Sequence, residues 1–156
     1  MKRVISKNTN CFTMKTLFIL PFLLISMATL LSAQTVHDVP MTGLEMVPRV
    51  QTPAMGNVQV WVESDTLYVR GSFSDLRGSY FAAQIHYGRR GETGNRIFRL
   101  RASLNEDQQS GEFKVENNTF PLRPAQRTAI ANGNFYIIVS TNRHQQGEIR
   151  GQIPRI

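Results

Sequence analysis

Cysteine is almost missing from these 156 residues: the single one, Cys11, lies ahead of an uncharged, mostly apolar run at residues 17–33. One thiol cannot form an internal disulfide, and whatever folds beyond residue 33 has no thiol chemistry at all. Lysine is equally scarce there. Four of the 18 basic residues lie in the first 33, and the 14 that follow are arginines except for Lys114. Against 11 acidic residues, the net charge of +7 for the whole sequence falls to +3. That balance is too mild for a nucleic-acid-binding surface, which needs a strong basic bias on one face. Beyond residue 33 there is no long apolar run, internal repeat, low-complexity tract or linker. Histidine occurs three times, as His37, His86 and His144, with no spacing that joins them into a metal site.

The apolar run follows Lys15 and ends in "LLSAQ", with the small Ala33 at the last position. Residues 1–33 are therefore expected to be a secretory signal peptide cut after Ala33. An uncleaved anchor is the rival reading, because about 17 apolar residues is the lower limit for spanning a bilayer. "MKTLFILPF" from Met14 has the form of an ordinary signal start, so translation from Met1 or from Met14 both fit. Gln34 rather than cysteine follows the cut, which argues against a lipid anchor. The expected location is secreted, periplasmic or cell-envelope, with no transmembrane span after cleavage. Residues 34–156 suffice for one domain that buries about two-thirds of its unfolded surface, with no metal or disulfide needed for stability.

Short alternating runs separated by turn residues fill this domain, the pattern of a β-sandwich or barrel. Val58, Val60 and Val62 alternate with polar neighbours, and "TLYVRGSF" sets Leu67, Val69, Gly71 and Phe73 on one face. Ser64-Asp65 between them predicts a hairpin. "YFAAQIHYG" carries apolar area on both faces, so alternation leaves its core side undecided. "RIFRLRASL" and "GEFKVEN" predict two further strands, and "TGLEMV" a first one. "NFYIIVST" has the β-branched centre of a strand covered on both sides, and "GEIRGQI" predicts a last strand stopped by Pro154. In "RPAQRTAIANG", Pro124 and Gly133 sit where a short helix starts and stops. The total is seven or eight strands and one helix.

"LEMVPRVQTPAMG", "QIHYGRRGETGN", "PLRPAQRTAIANGNFYIIVST" and "GEIRGQI", in this order and spacing, resemble the CHRD domain, named after chordin and also found in secreted bacterial proteins. The resemblance covers nearly all of residues 34–156. It implies an all-β, Greek-key-like sandwich likened to immunoglobulin and copper–zinc superoxide dismutase folds. It implies little about activity. Many members carry His-x-His where this chain has Gln84-Ile85-His86, and a further histidine at the position of Ser140. Alternate strand residues share a face, so such a set could grip a metal ion. Two of the three are replaced here, which leaves His86 as a weak single candidate and predicts no metal and no cofactor.

His86 is accordingly read as a strand histidine hydrogen-bonded to a neighbour such as Gln84 or Ser140. "GRRGETGN" lacks the lysine and serine of a phosphate loop and reads as a long turn. Arg70, Arg89, Arg90, Arg99 and Arg101 are candidate binding residues, since arginine suits bidentate contact with carboxylate or phosphate. An ordinary solvated sheet face gives the same pattern. Glu148 and Arg150 lie two apart on one side of the last strand, and such charges either hold strand register or meet a neighbouring strand's charge. No nucleophile and base stand at a recognisable spacing. The expected function is a non-catalytic binding module whose partner is an envelope protein or an acidic glycan and not a nucleic acid. The alternatives are a superoxide-dismutase-like metalloenzyme using His86 and a structural envelope module.

Overall fold

The computed structural model describes residues 35–156. The expected signal peptide, Cys11 and both candidate starts lie outside the described residues. Ten strands and one α-helix make up the domain: β1 (His37–Thr42), β2 (Met55–Glu63), β3 (Thr66–Ser74), β4 (Tyr80–Tyr87), β5 (Arg96–Leu100), β6 (Ala102–Leu104), β7 (Gly111–Phe113), β8 (Thr119–Pro121), α1 (Pro124–Ala131), β9 (Phe135–Thr141) and β10 (Ile149–Gln152). No helix among the described residues is long and apolar enough to cross a membrane.

One antiparallel sheet runs β5-β4-β9-β10-β1-β2-β3-β7-β6, and β8 pairs with β3 alongside β7. Its two end strands, β5 and β6, are joined through Arg101 alone, so the sheet is nearly closed and barrel-like. The core lies inside it. Val39 and Met41, Val58 and Val60, Leu67 and Val69, Ala83 and Ile85, and Ile149 converge there from five strands. Strand β9 is buried throughout because both of its faces are covered. Phe135, Ile137 and Val139 enter the main core, while Tyr136 and Ile138 join Met46 in a second cluster on the outer face.

Hairpin β2–β3 forms as predicted, with Glu63 opposite Thr66 and with Ser64 and Asp65 both at positive φ, the geometry that matches strand twist. Helix α1 also matches, and Gly133 ends it at φ 70° with its N–H donating to the Ile130 carbonyl.

Other elements differ from the sequence reading. The first strand lies at His37–Thr42, and Gly43–Glu45 is a 3-10 turn. Pro40 has no N–H to give, and β1 pairs with β10 only at Thr42 and Arg150. "RIFRLRASL" breaks at Arg101, where the chain passes from one end of the sheet to the other. Val115 belongs to a 3-10 turn, Val115–Asn117, and β8 follows it unannounced. In β4, irregular pairing between Tyr80 and Ala82 and again at Ile85–His86 breaks the alternation. Ala83 and Ile85 take the core side, while Phe81 is 58% exposed.

Candidate functional site

The outer face of β5-β4-β9-β10 carries two transverse rows of paired residues. One is Arg99, Gln84, Ile138 and Arg150; the other is Arg96, His86, Tyr136 and Gln152. Directly paired residues project to the same side of a sheet, so the register brings all eight onto one surface. Two segments cover it: the turn that contains Met46 and Val47, and the glycine loop between β4 and β5. A depression of about 330 Å³ remains between them, lined by Gln84, His86, Thr93, Tyr136, Ile138 and Arg150 among others.

His86 stands in this depression with both ring nitrogens engaged. Nδ1 lies 2.8 Å from the Gly94 carbonyl oxygen, which only accepts, so Nδ1 carries a hydrogen. Nε2 lies 2.9 Å from the Gln84 side-chain amide. In a neutral ring Nε2 accepts and the amide nitrogen faces it; in an imidazolium the amide oxygen does. Either way the position a metal would need is taken by Gln84. The imidazole also stacks on Tyr136, at 5.4 Å between centroids. Gln84 is thus the partner of His86, as the sequence suggested. No group of three or more His, Cys, Asp or Glu that could hold a metal occurs among the described residues.

Arg150 organises the loop that walls the site. It is 1% exposed, and its guanidinium sits 3.7 Å from the centroid of the Tyr136 ring. Nη1 donates to the Glu92 carbonyl at 2.7 Å, and Nη2 to the Arg89 carbonyl at 2.8 Å and to Gln152 Oε1 at 3.0 Å. Burial pulls its pKa below the usual arginine value, against the favourable pull of Tyr136 and Glu45. Gln152 continues the tie, its Nε2 donating to the carbonyls of Gly88, Gly133 and Phe135. The loop is therefore fastened through its backbone, and Tyr136 Oη accepts from the Gly94 N–H as a further point.

Glu148 and Arg150 neither pair with each other nor form an ion pair with another strand among the described residues, contrary to both expectations. Fully buried Glu148 accepts at Oε1 from the Thr52 hydroxyl (2.5 Å) and the Arg77 N–H (2.8 Å), and at Oε2 from the Thr141 hydroxyl (2.8 Å). Both threonine oxygens themselves accept from backbone N–H groups, those of Ala54 and His144, which leaves their own hydrogens for Glu148. The "GEIRGQI" segment is a set of internal pins. Gly151 belongs to it too, since a Cβ there would stand 2.7 Å from the Pro40 carbonyl oxygen.

All five candidate arginines are exposed, and the structure distributes them. Arg89 and Arg90 are on the glycine loop, and Arg90 Nη1 pairs with Glu45 Oε1 at 2.8 Å. Arg99 lies in the row that crosses the depression. Arg101 joins β5 to β6. Arg70 is on β3, where its guanidinium lies 5.5 Å from the Trp61 ring, which itself stacks on Tyr68. Arg70 Nε also donates to Gln59 Oε1. Sequence reasoning missed Tyr136, Gln152 and Asn118. Tyr136 and Gln152 were legible as the "FYI" and "RGQ" neighbours of named residues, whereas the role of Asn118 had no local signal.

No curated protein and no solved structure gives a significant match to this chain. The CHRD domain matches residues 37–153, which run from the start of β1 to just past β10 and include every residue of the depression. By that match the chain belongs to the CHRD domain family.

Proposed function

We propose that this is an exported, non-catalytic CHRD domain that works by recognition. The observation that carries the reading is the state of the polar groups around His86. The imidazole, the buried guanidinium of Arg150 and the Gln152 amide hydrogen-bond the protein's own backbone and side chains. A general base or a ligand nitrogen has to be free toward its substrate or metal. His86 is not, so the reading includes no resident transition metal and no superoxide chemistry. The exposed Arg70, Arg89, Arg90, Arg99 and Arg101 supply contact surface for an acidic glycan or an envelope protein. The main core, contributed from both ends of the strand order, supports a flattened, Greek-key-like sandwich as the finer description of the sheet.

The test is a turnover assay on purified protein, with superoxide as one substrate and copper and zinc supplied. The expected rate equals that of the metals alone and is the same for His86→Ala. A rate above it that this substitution abolishes overturns the reading. Export has its own check: the protein recovered outside the cytoplasm begins at Gln34 by mass spectrometry.

A further inference from the structure

A second depression, of about 570 Å³, lies between the start of the glycine loop and the end of α1. Arg89 lines it from the loop, Asn132, Gly133 and Asn134 from the turn that follows the helix, and Arg155 from the segment beyond β10. No acidic side chain among the described residues lines it, and neither guanidinium is in an ion pair among them. Two cations thus share one cleft with no anion in its walls. The end of α1 does not call for them as caps, because its carbonyls at Thr128, Ala129 and Ile130 already accept from the N–H groups of Asn132, Asn134 and Gly133.

The walls of this cleft are tied to each other through the backbone. The Gly88 N–H donates to the Asn134 carbonyl at 2.8 Å, and Gln152 Nε2 donates to the carbonyls of both Gly88 and Gly133, which stitches the loop to the turn. Arg89 is held on both sides of its Cα: its N–H donates to Glu92 Oε2 at 3.1 Å, and its carbonyl accepts from buried Arg150 at 2.8 Å. Arg155 is steered by a glycine. At Gly133, where φ is 70°, a Cβ would stand 3.3 Å from Arg155 Cγ, so the stem of that side chain runs close over the bare Cα. Two residues earlier, the Ile153 N–H donates to the Phe135 carbonyl at 2.9 Å and fixes the chain that carries Arg155. The internal pins of the last strand therefore set the backbone under both arginines, while their side chains stay exposed. Groups carried on a fixed backbone lose less freedom on binding than groups on a mobile loop.

We propose that this cleft holds the anionic group of an acidic saccharide, with Arg89 and Arg155 as its two charged contacts. Arginine offers paired N–H donors to a carboxylate or sulfate, and the Asn132 and Asn134 amides offer the directed hydrogen bonds that sugar hydroxyls take. The volume of about 570 Å³ is within the range of small-ligand sites. Only arginine, asparagine and glycine line it, a surface that suits a hydrated saccharide and gives an apolar body nothing to bury against. The proposal rests on the recognition reading and assigns one of its partners to a place.

The test is a nuclear magnetic resonance titration of the purified protein at constant ionic strength, following backbone amide signals. The probes are trigalacturonate and lactose sulfate, each beside its neutral counterpart, the trigalacturonate methyl ester and lactose, and inorganic sulfate alone. At least one acidic saccharide shifts the signals of Arg89, Gly133, Asn134 and Arg155 saturably, and its neutral counterpart binds about tenfold more weakly or worse, the loss expected for charge-assisted contacts. Arg89→Gln and Arg155→Gln change exposed side chains and leave the backbone pins in place. Each weakens the acidic saccharide by about fivefold or more, while Arg143→Gln, at an exposed arginine outside the cleft, leaves it unchanged. The proposal is overturned if no acidic saccharide moves these signals up to about 100 mM, a limit weaker than any specific site. It is equally overturned if the neutral probes bind as well, or if Arg143→Gln weakens binding as much, the mark of general charge attraction. Inorganic sulfate that binds as tightly as the saccharide overturns the saccharide as occupant. Shifts confined to Arg70, Arg99 or Arg101 overturn this site and leave the recognition reading standing. A saccharide that binds in the cleft and is chemically converted has the opposite meaning, supporting the site and ending the non-catalytic reading.

Discussion

At the scale of single residues, the polar side chains that look most like chemistry hold the backbone in place. Arg150 shows this most plainly: Arg150→Met keeps much of the volume but leaves the Arg89 and Glu92 carbonyls and Gln152 Oε1 without a donor. The expected cost is about 3 kcal/mol, from unpaired buried acceptors. Urea denaturation reads that loss, and hydrogen exchange should place its largest effect in residues 88–95. Tyr80 gives a pH-dependent counterpart. Burial raises its phenol above the ordinary value of 10.0, with a backbone hydrogen bond at Ala83 and the charge of Arg99 pulling the other way. Below pH 10.0 both folded and unfolded chains keep the proton. As pH rises past that value the unfolded chain ionises first, so stability falls until the folded phenol ionises too. Tyr80→Phe is expected to flatten this alkaline decline, as measured by denaturation midpoints on either side of pH 10.0.

At the scale of elements, the nearly closed sheet has a seam where β5 gives way to β6, and fully buried Asn118 holds it. Its side chain accepts from the Arg101 N–H and donates to the carbonyls of Arg101 and Lys114, while its own carbonyl accepts from the Val69 N–H. The amide serves as a one-residue strand partner. Asn118→Ala strands the Arg101 N–H and two carbonyls, for an expected loss of about 2 to 3 kcal/mol in a denaturant titration. Exchange should rise at Arg101 and along β5, with β2 and β3 little affected. Local pattern made some elements readable in advance. Hairpin β2–β3, helix α1 and β9 are set by alternation, by a turn pair and by proline and glycine at the ends, all of which act within a few residues. The break at Arg101 and strand β8 depend on Asn118, 17 residues from its partner, and no window along the chain registers such a bond. The core side of β4 was undecided in the sequence for a related reason: irregular pairing turns Phe81 outward while Ala83 and Ile85 face the core, and pairing partners are set by the fold.

At the scale of the whole molecule, the same register that closes the sheet also assembles the depression. Rows from β5, β4, β9 and β10 bring His86 beside Gln84 and Tyr136, and Arg150 beneath the glycine loop. The sequence identified His86 and its neighbour Gln84 but expected Arg150 to serve as one of a set of strand charges, where the structure gives it only uncharged partners. Two residues on one side of a strand suggest mutual contact, yet each reached a different loop. The most direct test of the claim that His86 serves the fold and not a metal is calorimetric titration of the purified protein with zinc and with copper. The account predicts no tight binding that differs between the natural protein and His86→Ala. One ion bound per chain with a dissociation constant below about 1 µM, lost on that substitution, would contradict it.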